Sequence, residues 1–399
     1  MLDRAACRAL TVPGRAACRT FTLIAALALL GAAPAHAALN CPEGTSLIGD
    51  APPRGTRQWC AYRDQEGRLA YHGPYSAWHD NGVLKLTGSF DRGLRIGLWI
   101  EYDEAGQEVV ASTYRGDVLE GPYRGKTTDG GRAEGAYKAG KRDGAWRLFD
   151  KVGAKSAEGT FKNGLRHGRW TYFYEDGSRS EGPFVDDVRT GRWTAFGPNG
   201  QRRAEGPVVN GRRQGPWLEF DDQGVLVAKG PYVDDARSGR WVILFAGGRT
   251  QATGDYLAGQ KSGAWTEWQP DGTRWEGHFR GGLKDGVWAS YAPGPNGGMT
   301  GRGEMREGRM SGEWSLFDDR GALVAKGPYV DGKRHGTWIE VAKDGGRFEG
   351  EYRDGERDGT WIAYDLAGMS RGELSYARGL RRDGQVPVAP TSPGARTTP

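Results

Sequence analysis

A glycine followed two residues later by a large aromatic residue recurs along most of this chain, at intervals of 23 or 24 residues and once of 26. The longest interval, between Trp288 and Trp314, contains the run Pro293–Gly298, which predicts a loop insertion that leaves the phase unchanged. A fixed period of this length is typical of repeat architectures. The aromatic positions of the thirteen units are Tyr75, Trp99, Tyr123, Trp146, Trp170, Trp193, Trp217, Trp241, Trp265, Trp288, Trp314, Trp338 and Trp361.

Each unit repeats the same order of apolar and polar positions. Ten of the thirteen units place a second aromatic residue three positions after the first, as Phe149 does. A turn pair such as Asp176-Gly177 follows, and then a second short run of the kind found at 158–161. Asp-Gly and Asn-Gly accept positive φ at both central positions, which predicts a tight hairpin turn at this pair. A polar turn with another glycine, such as Gly164, leads to the next unit.

This order predicts an all-β protein. Two strands of about five to seven residues and two short turns account for one period. A helical interpretation fails because the chain has 66 Gly and no apolar series at helical spacing survives among them. Since one hairpin alone is marginal in water, each unit must pair with its neighbours. We therefore expect an elongated single-layer antiparallel ribbon of stacked β-hairpins.

The row of aromatic residues at the Gly-x-Trp position has two interpretations. The first is structural: aromatic side chains of neighbouring units contact one another and supply the core that a single-layer sheet otherwise lacks. In the second, the exposed part of the row forms a binding surface. We favour a mainly structural role. Strand parity places each tryptophan and the aromatic residue three positions later on opposite faces, unless a bulge intervenes.

The N-terminus has the features of a secretory signal peptide over residues 1–37. Four arginines precede an apolar stretch from Phe21 to Ala33, and Ala35-His36-Ala37 forms a small-x-small cleavage site. The apolar stretch is too short to cross ~30 Å of hydrocarbon as a helix. Cleavage near Ala37 leaves 51 basic and 49 acidic residues, a net charge of +2 against +5 for the precursor. These charges interleave, which disfavours nucleic acid as a partner, and we expect a periplasmic or secreted protein.

Two cysteines remain after cleavage, Cys41 and Cys60. In an oxidising compartment this pair predicts a disulfide, which stabilises by roughly 3 kcal/mol in the chain-entropy model. The alternative, a metal site at this pair, is disfavoured because two further ligands are lacking at any usual spacing. We expect residues 38–72 to form an N-terminal cap of the ribbon, with little regular structure in its Pro- and Gly-rich loop. Residues 381–399, with four prolines, are predicted to be a disordered tail.

The chain offers little that indicates catalysis, a cofactor or a metal. His167 and His335 occupy the same turn position of their units, where other units have aspartate. The Gly121–Thr127 stretch is one residue short of a phosphate loop and lies within a hairpin rather than before a helix. Thirteen near-equivalent units do not single out one place for an active site. We therefore predict no catalytic, cofactor-binding or metal-binding residues.

The run Phe161–Trp170, followed by Asp176-Gly177 and Glu181-Gly182, resembles a bacterial variant of the MORN repeat. The resemblance covers about residues 70–380, so residues 73–380 are expected to hold thirteen MORN-variant repeats. It implies a hairpin array that acts as a scaffold or interaction surface. The chain has Gly-x-Trp where eukaryotic MORN repeats often have Gly-x-Gly. The partners and lipids of eukaryotic MORN proteins are therefore not assigned to this chain. Some bacterial variant arrays carry an antitoxin-type family name.

Three functions are compatible with these patterns. The favoured hypothesis is an exported, non-enzymatic scaffold or binding protein of the bacterial cell envelope, which engages a protein or a glycan along the ribbon. An alternative is an antitoxin or immunity-type protein that masks a toxin. The third, a glycan-acting hydrolase, requires one unit with distinctive acidic residues, and no unit stands out in this way. No pattern in the sequence indicates lipid contact.

Overall fold

The computed structural model describes residues 39–382, and within that part the protein is all-β and contains no helix. The 33 strands form one open antiparallel sheet in which chain neighbours pair. The prediction of a single-layer hairpin ribbon is confirmed. The predicted signal peptide, residues 1–37, and residues 383–399 of the predicted tail lie outside the described residues.

The strands of the N-terminal half are β1 Ser46–Asp50, β2 Arg57–Arg63, β3 Leu69–Trp78, β4 Leu84–Asp91, β5 Leu94–Tyr102, β6 Glu108–Arg115, β7 Val118–Lys126, β8 Arg132–Lys138, β9 Lys141–Phe149, β10 Lys155–Lys162, β11 Leu165–Phe173, β12 Arg179–Val185, β13 Val188–Arg189, β14 Gly191–Phe196, β15 Arg202–Val209 and β16 Arg212–Arg213. Most of them are longer than the predicted five to seven residues, because the pairing continues up to each turn.

The strands of the C-terminal half are β17 Gly215–Phe220, β18 Leu226–Val233, β19 Ala236–Arg237, β20 Gly239–Leu244, β21 Thr250–Leu257, β22 Gln260–Trp268, β23 Arg274–Arg280, β24 Leu283–Tyr291, β25 Met299–Arg306, β26 Arg309–Phe317, β27 Leu323–Val330, β28 Lys333–Arg334, β29 Gly336–Val341, β30 Arg347–Arg353, β31 Glu356–Tyr364, β32 Ser370–Ala377 and β33 Leu380–Arg381. The 293–298 insertion is an irregular connection between β24 and β25, and the repeat resumes after it.

The two turns of each unit differ in type. At Asn163-Gly164 both residues have positive φ, +52° and +91°, between the paired Lys162 and Leu165, which is a two-residue type I′ hairpin. The sequence predicts positive φ at both Asp176 and Gly177. This prediction is wrong, because only Gly177 has positive φ. The amide of Gly177 donates to the carbonyl of Tyr174, so this turn is a type I turn followed by a left-handed glycine.

The N-terminal end is more regular than its composition suggests. Cys41 and Cys60 form a disulfide with Cα atoms 5.5 Å apart. The expectation of little regular structure between them is wrong: β1 lies within the loop and pairs with β2 along its whole length. All prolines of the loop lie outside the two strands, and Gly49 within β1 still pairs with Gln58 of β2.

The glycine of each Gly-x-Trp motif lies at a bulge in its strand. Glu134 pairs with Arg147 and Ala136 with Asp143, so three residues, including Gly144 and Trp146, oppose the single Gly135. The φ angle of this glycine is positive in all thirteen units, between +62° and +109°. Other residues are strained at such angles, which explains why glycine recurs at this position.

Candidate interaction surface

One face of the ribbon holds the tryptophan row, and these side chains are buried. The eleven tryptophans of the Gly-x-Trp motif are at most 6% exposed, whereas Tyr75 and Tyr123 are half-buried. Each of the eleven indole Nε1 atoms donates to the backbone carbonyl ten residues earlier, at 2.9–3.3 Å. The indoles therefore satisfy their polar atom within the sheet and leave almost no surface for a ligand.

The second strand of most units adds an aromatic residue to this row, whereas Val208 and Met305 take its place in two units. Tyr232 meets Trp241 edge-on with ring centroids 5.4 Å apart, and Phe279 meets Trp288 in the same way at 5.4 Å. Such pairs contribute about 0.5–1.5 kcal/mol beyond the burial of their area. The buried side chains form three clusters, which half-buried residues such as Tyr256 and Tyr329 connect along the ribbon.

A row of cations covers the aromatic core and was not predicted from the sequence. The Arg237 guanidinium lies 4.3 Å from the centre of the Trp241 ring, and Lys284 lies 4.2 Å from that of Trp288. Ten of the eleven motif tryptophans have Arg or Lys four residues earlier, and Met310 takes this place before Trp314. This spacing is visible in the sequence and is the signal for cation–π contacts.

Some of these cations are bridged by glutamates. Glu267 accepts hydrogen bonds from Lys261 at 2.6 Å and forms an ion pair with Lys284 of the next unit at 2.9 Å. Burial of its carboxyl opposes ionisation, but the two lysines outweigh this effect and hold its pKa below the usual value. Glu340 joins Arg334 and Arg357 in the same way. Each bridge links two successive units.

The aromatic residues three positions after each tryptophan lie on the opposite face. Leu148, Tyr172 and Ile243, two positions after a tryptophan, pack against the buried core, whereas Phe149 and Phe173 do not. Strand parity therefore holds across this segment. Phe149 is half-buried beneath Arg132, 4.5 Å from the ring centre. This second face consequently presents a regular row of partly exposed aromatic rings and cations.

A shallow groove of about 520 Å³ interrupts the regularity of the second face between β20 and β25. Ala264 and Val287 line it at the position just before the tryptophan, where earlier units carry Arg169 and Arg192. A second depression of about 260 Å³ adjoins it, since both are lined by Val287 and Arg302.

The charged side chains of the groove differ from those of the regular units. Arg192 is 2.7 Å from Glu205, and Arg169 also pairs with a carboxylate, Glu181. Arg240 and Arg302, at opposite ends of the groove, form no ion pair with any of the described residues. This stretch therefore combines open space with two free guanidinium groups.

The described residues form neither a metal-binding cluster nor a membrane-spanning helix. Within residues 39–382, no group of three or more His, Cys, Asp and Glu side chains is placed to hold a metal ion. His167 lies 3.3 Å from Asp186 at an exposed turn. Nor does the described chain contain a helix long and apolar enough to cross a membrane.

Comparison with known proteins does not place the chain in a family. No family model and no curated protein matches its sequence. The chain is similar to the crystal structure of the computationally designed Ika8 protein, at 13% sequence identity over 76% of this chain and 89% of that one. The TM-score is 0.14, so this likeness carries no argument about fold or function.

Proposed function

We propose that this protein is an exported, non-enzymatic scaffold of the MORN-variant type, which binds a protein or glycan of the bacterial envelope along its ribbon. The observation that supports the proposal most is the second face. Its aromatic and cationic side chains recur in register along one sheet, whereas the tryptophans of the first face are buried. A surface of this kind suits an extended partner better than a compact substrate.

The compartment is part of the proposal. A disulfide between Cys41 and Cys60 is compatible with an extracellular or periplasmic location. Export also accounts for the predicted signal peptide at residues 1–37. We expect the protein recovered from cells to begin near Ala38 and to contain no free thiol, which intact mass measured before and after reduction will test.

Retention of the mature protein by envelope fractions tests the binding function. We expect residues 38–399 to be retained by periplasmic proteins or by purified cell-wall glycan, and the variant Phe149→Ser/Phe173→Ser to be retained less. Val152→Ser/Leu366→Ser is the control, because both side chains are 79% exposed at turns away from the face. Circular dichroism confirms that each variant is folded. No retention by protein, glycan or lipid fractions would refute the proposal.

A further inference from the structure

The groove between Arg240 and Arg302 departs from the regular second face, and we infer that it binds an acidic, linear β-1,4-linked polysaccharide. This inference rests on the proposed scaffold function and specifies the partner class. The ligand would lie along the ribbon axis, with its carboxylates at the two arginines and its sugar rings over the floor between them.

The charges of the groove favour an anion. Arg240 and Arg302 are exposed and have no carboxylate partner among the described residues, and His278 adds an exposed imidazole. The acidic side chain of the groove itself, Glu276, is neutralised by Arg274 at 3.2 Å. Glu304 and Glu313 line only the smaller depression beyond Arg302. An anionic ligand therefore meets unpaired positive charge across the main groove.

The length of the groove favours a chain over a compact ligand. Arg240 lies on β20 and Arg302 on β25, five strands along the sheet, which corresponds to ~24 Å at the usual strand spacing. Small side chains occupy the floor between them, including Thr266 and the buried Ala289. A single small anion contacts one guanidinium, whereas a polymer reaches both.

The spacing of the rings favours a glycan over a peptide. Tyr291 lines the main groove, and Phe317 occupies the same position of the next unit, one strand past Arg302 in the adjoining depression. The two rings are two strands apart, or ~9.6 Å, so the ligand would extend past Arg302. A β-1,4-linked hexose chain presents the same ring face every second sugar, over nearly that distance. An extended peptide presents the same face every second residue, or ~6.8 Å, and falls out of register with the units.

Binding of defined hexasaccharides to the mature protein tests this inference. The acidic probe is the hexamer of β-1,4-linked mannuronate, the neutral probe is β-1,4-mannohexaose with the same backbone, and hexaglutamate is the acidic peptide. By titration calorimetry at low ionic strength, we expect the acidic hexasaccharide to bind most tightly. Arg240→Ala/Arg302→Ala should weaken its binding about tenfold.

The control is Arg169→Ala/Arg192→Ala, which removes the same charge outside the groove, at the position that Arg240 occupies in its own unit. It should leave binding within about twofold of the unmodified protein. Ala264→Gln fills the groove floor without changing charge and should also weaken binding, which separates a shaped site from general electrostatic attraction.

Three outcomes overturn the inference: no binding of the acidic hexasaccharide, equal binding of hexaglutamate, or equal weakening by the control pair. If the acidic hexasaccharide fails while envelope fractions still retain the protein, the polysaccharide site is refuted and the scaffold function stands. If both fail, the scaffold function is refuted as well.

Discussion

Two glycines of each unit are required for different reasons. Gly144, in Gly-x-Trp, has a φ of +75°. Gly135, in the second strand of the preceding unit, has a tryptophan ring directly above it, and an added Cβ would lie 2.3 Å from Trp146. The same distance is 2.2–2.5 Å at all eleven glycines that face a tryptophan. The aromatic core therefore needs this glycine for close approach rather than for backbone freedom.

The exceptions support this explanation. Where the next unit has the smaller Tyr123 in place of tryptophan, Ser112 stands in place of the glycine and pairs with Tyr123. In the last complete unit the glycine is replaced by Leu374, beyond Trp361, the last tryptophan of the row. Leucine at this position marks the end of the tryptophan row.

Substitution of a covered glycine should be destabilising in proportion to this overlap. Gly254→Ala places a Cβ 2.2 Å from the Trp265 ring, and we expect it to lower the free energy of unfolding by roughly 1–3 kcal/mol. Gly247→Ala is the control, because no atom lies within 4 Å of its added Cβ. Urea denaturation followed by tryptophan fluorescence measures both. Equal midpoints for the two variants would contradict the proposed packing.

At the level of strands, single residues decide where pairing is continuous. In four units the first strand is interrupted by one unpaired residue: Thr190, Gln214, Ser238 or His335. A proline of the preceding strand lies opposite each interruption. Its carbonyl still accepts a hydrogen bond, as that of Pro183 does from the amide of Thr190. Proline has no N–H to donate in return, so the pairing is interrupted there. Units with another residue at this position keep an unbroken strand. The interruptions are therefore readable from the sequence once the register is known.

The glutamate bridges connect successive units and make the ribbon sensitive to acid. The pKa of Glu267 is held below its usual value, so its contribution is present above the unfolded-state pKa and is lost as pH falls through the folded-state value. Glu267→Gln should lower stability at neutral pH by roughly 1–3 kcal/mol, because two lysines lose a partially buried partner. Denaturation of both proteins across a pH series measures the difference.

That difference should shrink as the solution becomes acidic, since protonated Glu267 no longer binds the lysines as an anion. Glu313→Gln is the control, because Glu313 is 61% exposed and its one ion pair, with Lys326, is 3.5 Å long. A Glu267→Gln deficit that stays constant with pH would show that the ion pairs do not cause it.

For the whole molecule, contacts between successive strands dominate. Each strand pairs with its chain neighbours, and the described sheet contains no pairing between distant units. Stability should then be close to a sum over units and the interfaces between them. The disulfide acts at one end only, where Cys60 is 1% exposed and anchors Cys41 against β2.

Removal of one complete period should leave a shorter folded ribbon. Deleting residues 193–216 joins Arg192 to Trp217 and preserves Gly-x-Trp, so we expect the sheet to lose two strand spacings, ~9.6 Å of length. Small-angle scattering measures the change, and far-UV circular dichroism the remaining strand content. Deleting only 193–204 breaks the phase and should disrupt the ribbon locally. Equivalent loss of structure in both deletions would exclude a modular array.

The sequence by itself determined the period, the strand and turn order and the single-layer architecture, because these follow from local hydrogen bonding and from contacts between neighbouring units. The disulfide was also predictable, from the two cysteines that follow the predicted signal peptide. The tertiary structure alone decided which turn is type I′, which glycine lies beneath a ring and where the groove opens. These depend on register, which places side chains such as Arg240 and Arg302, 62 positions apart in the chain, at the two ends of one groove.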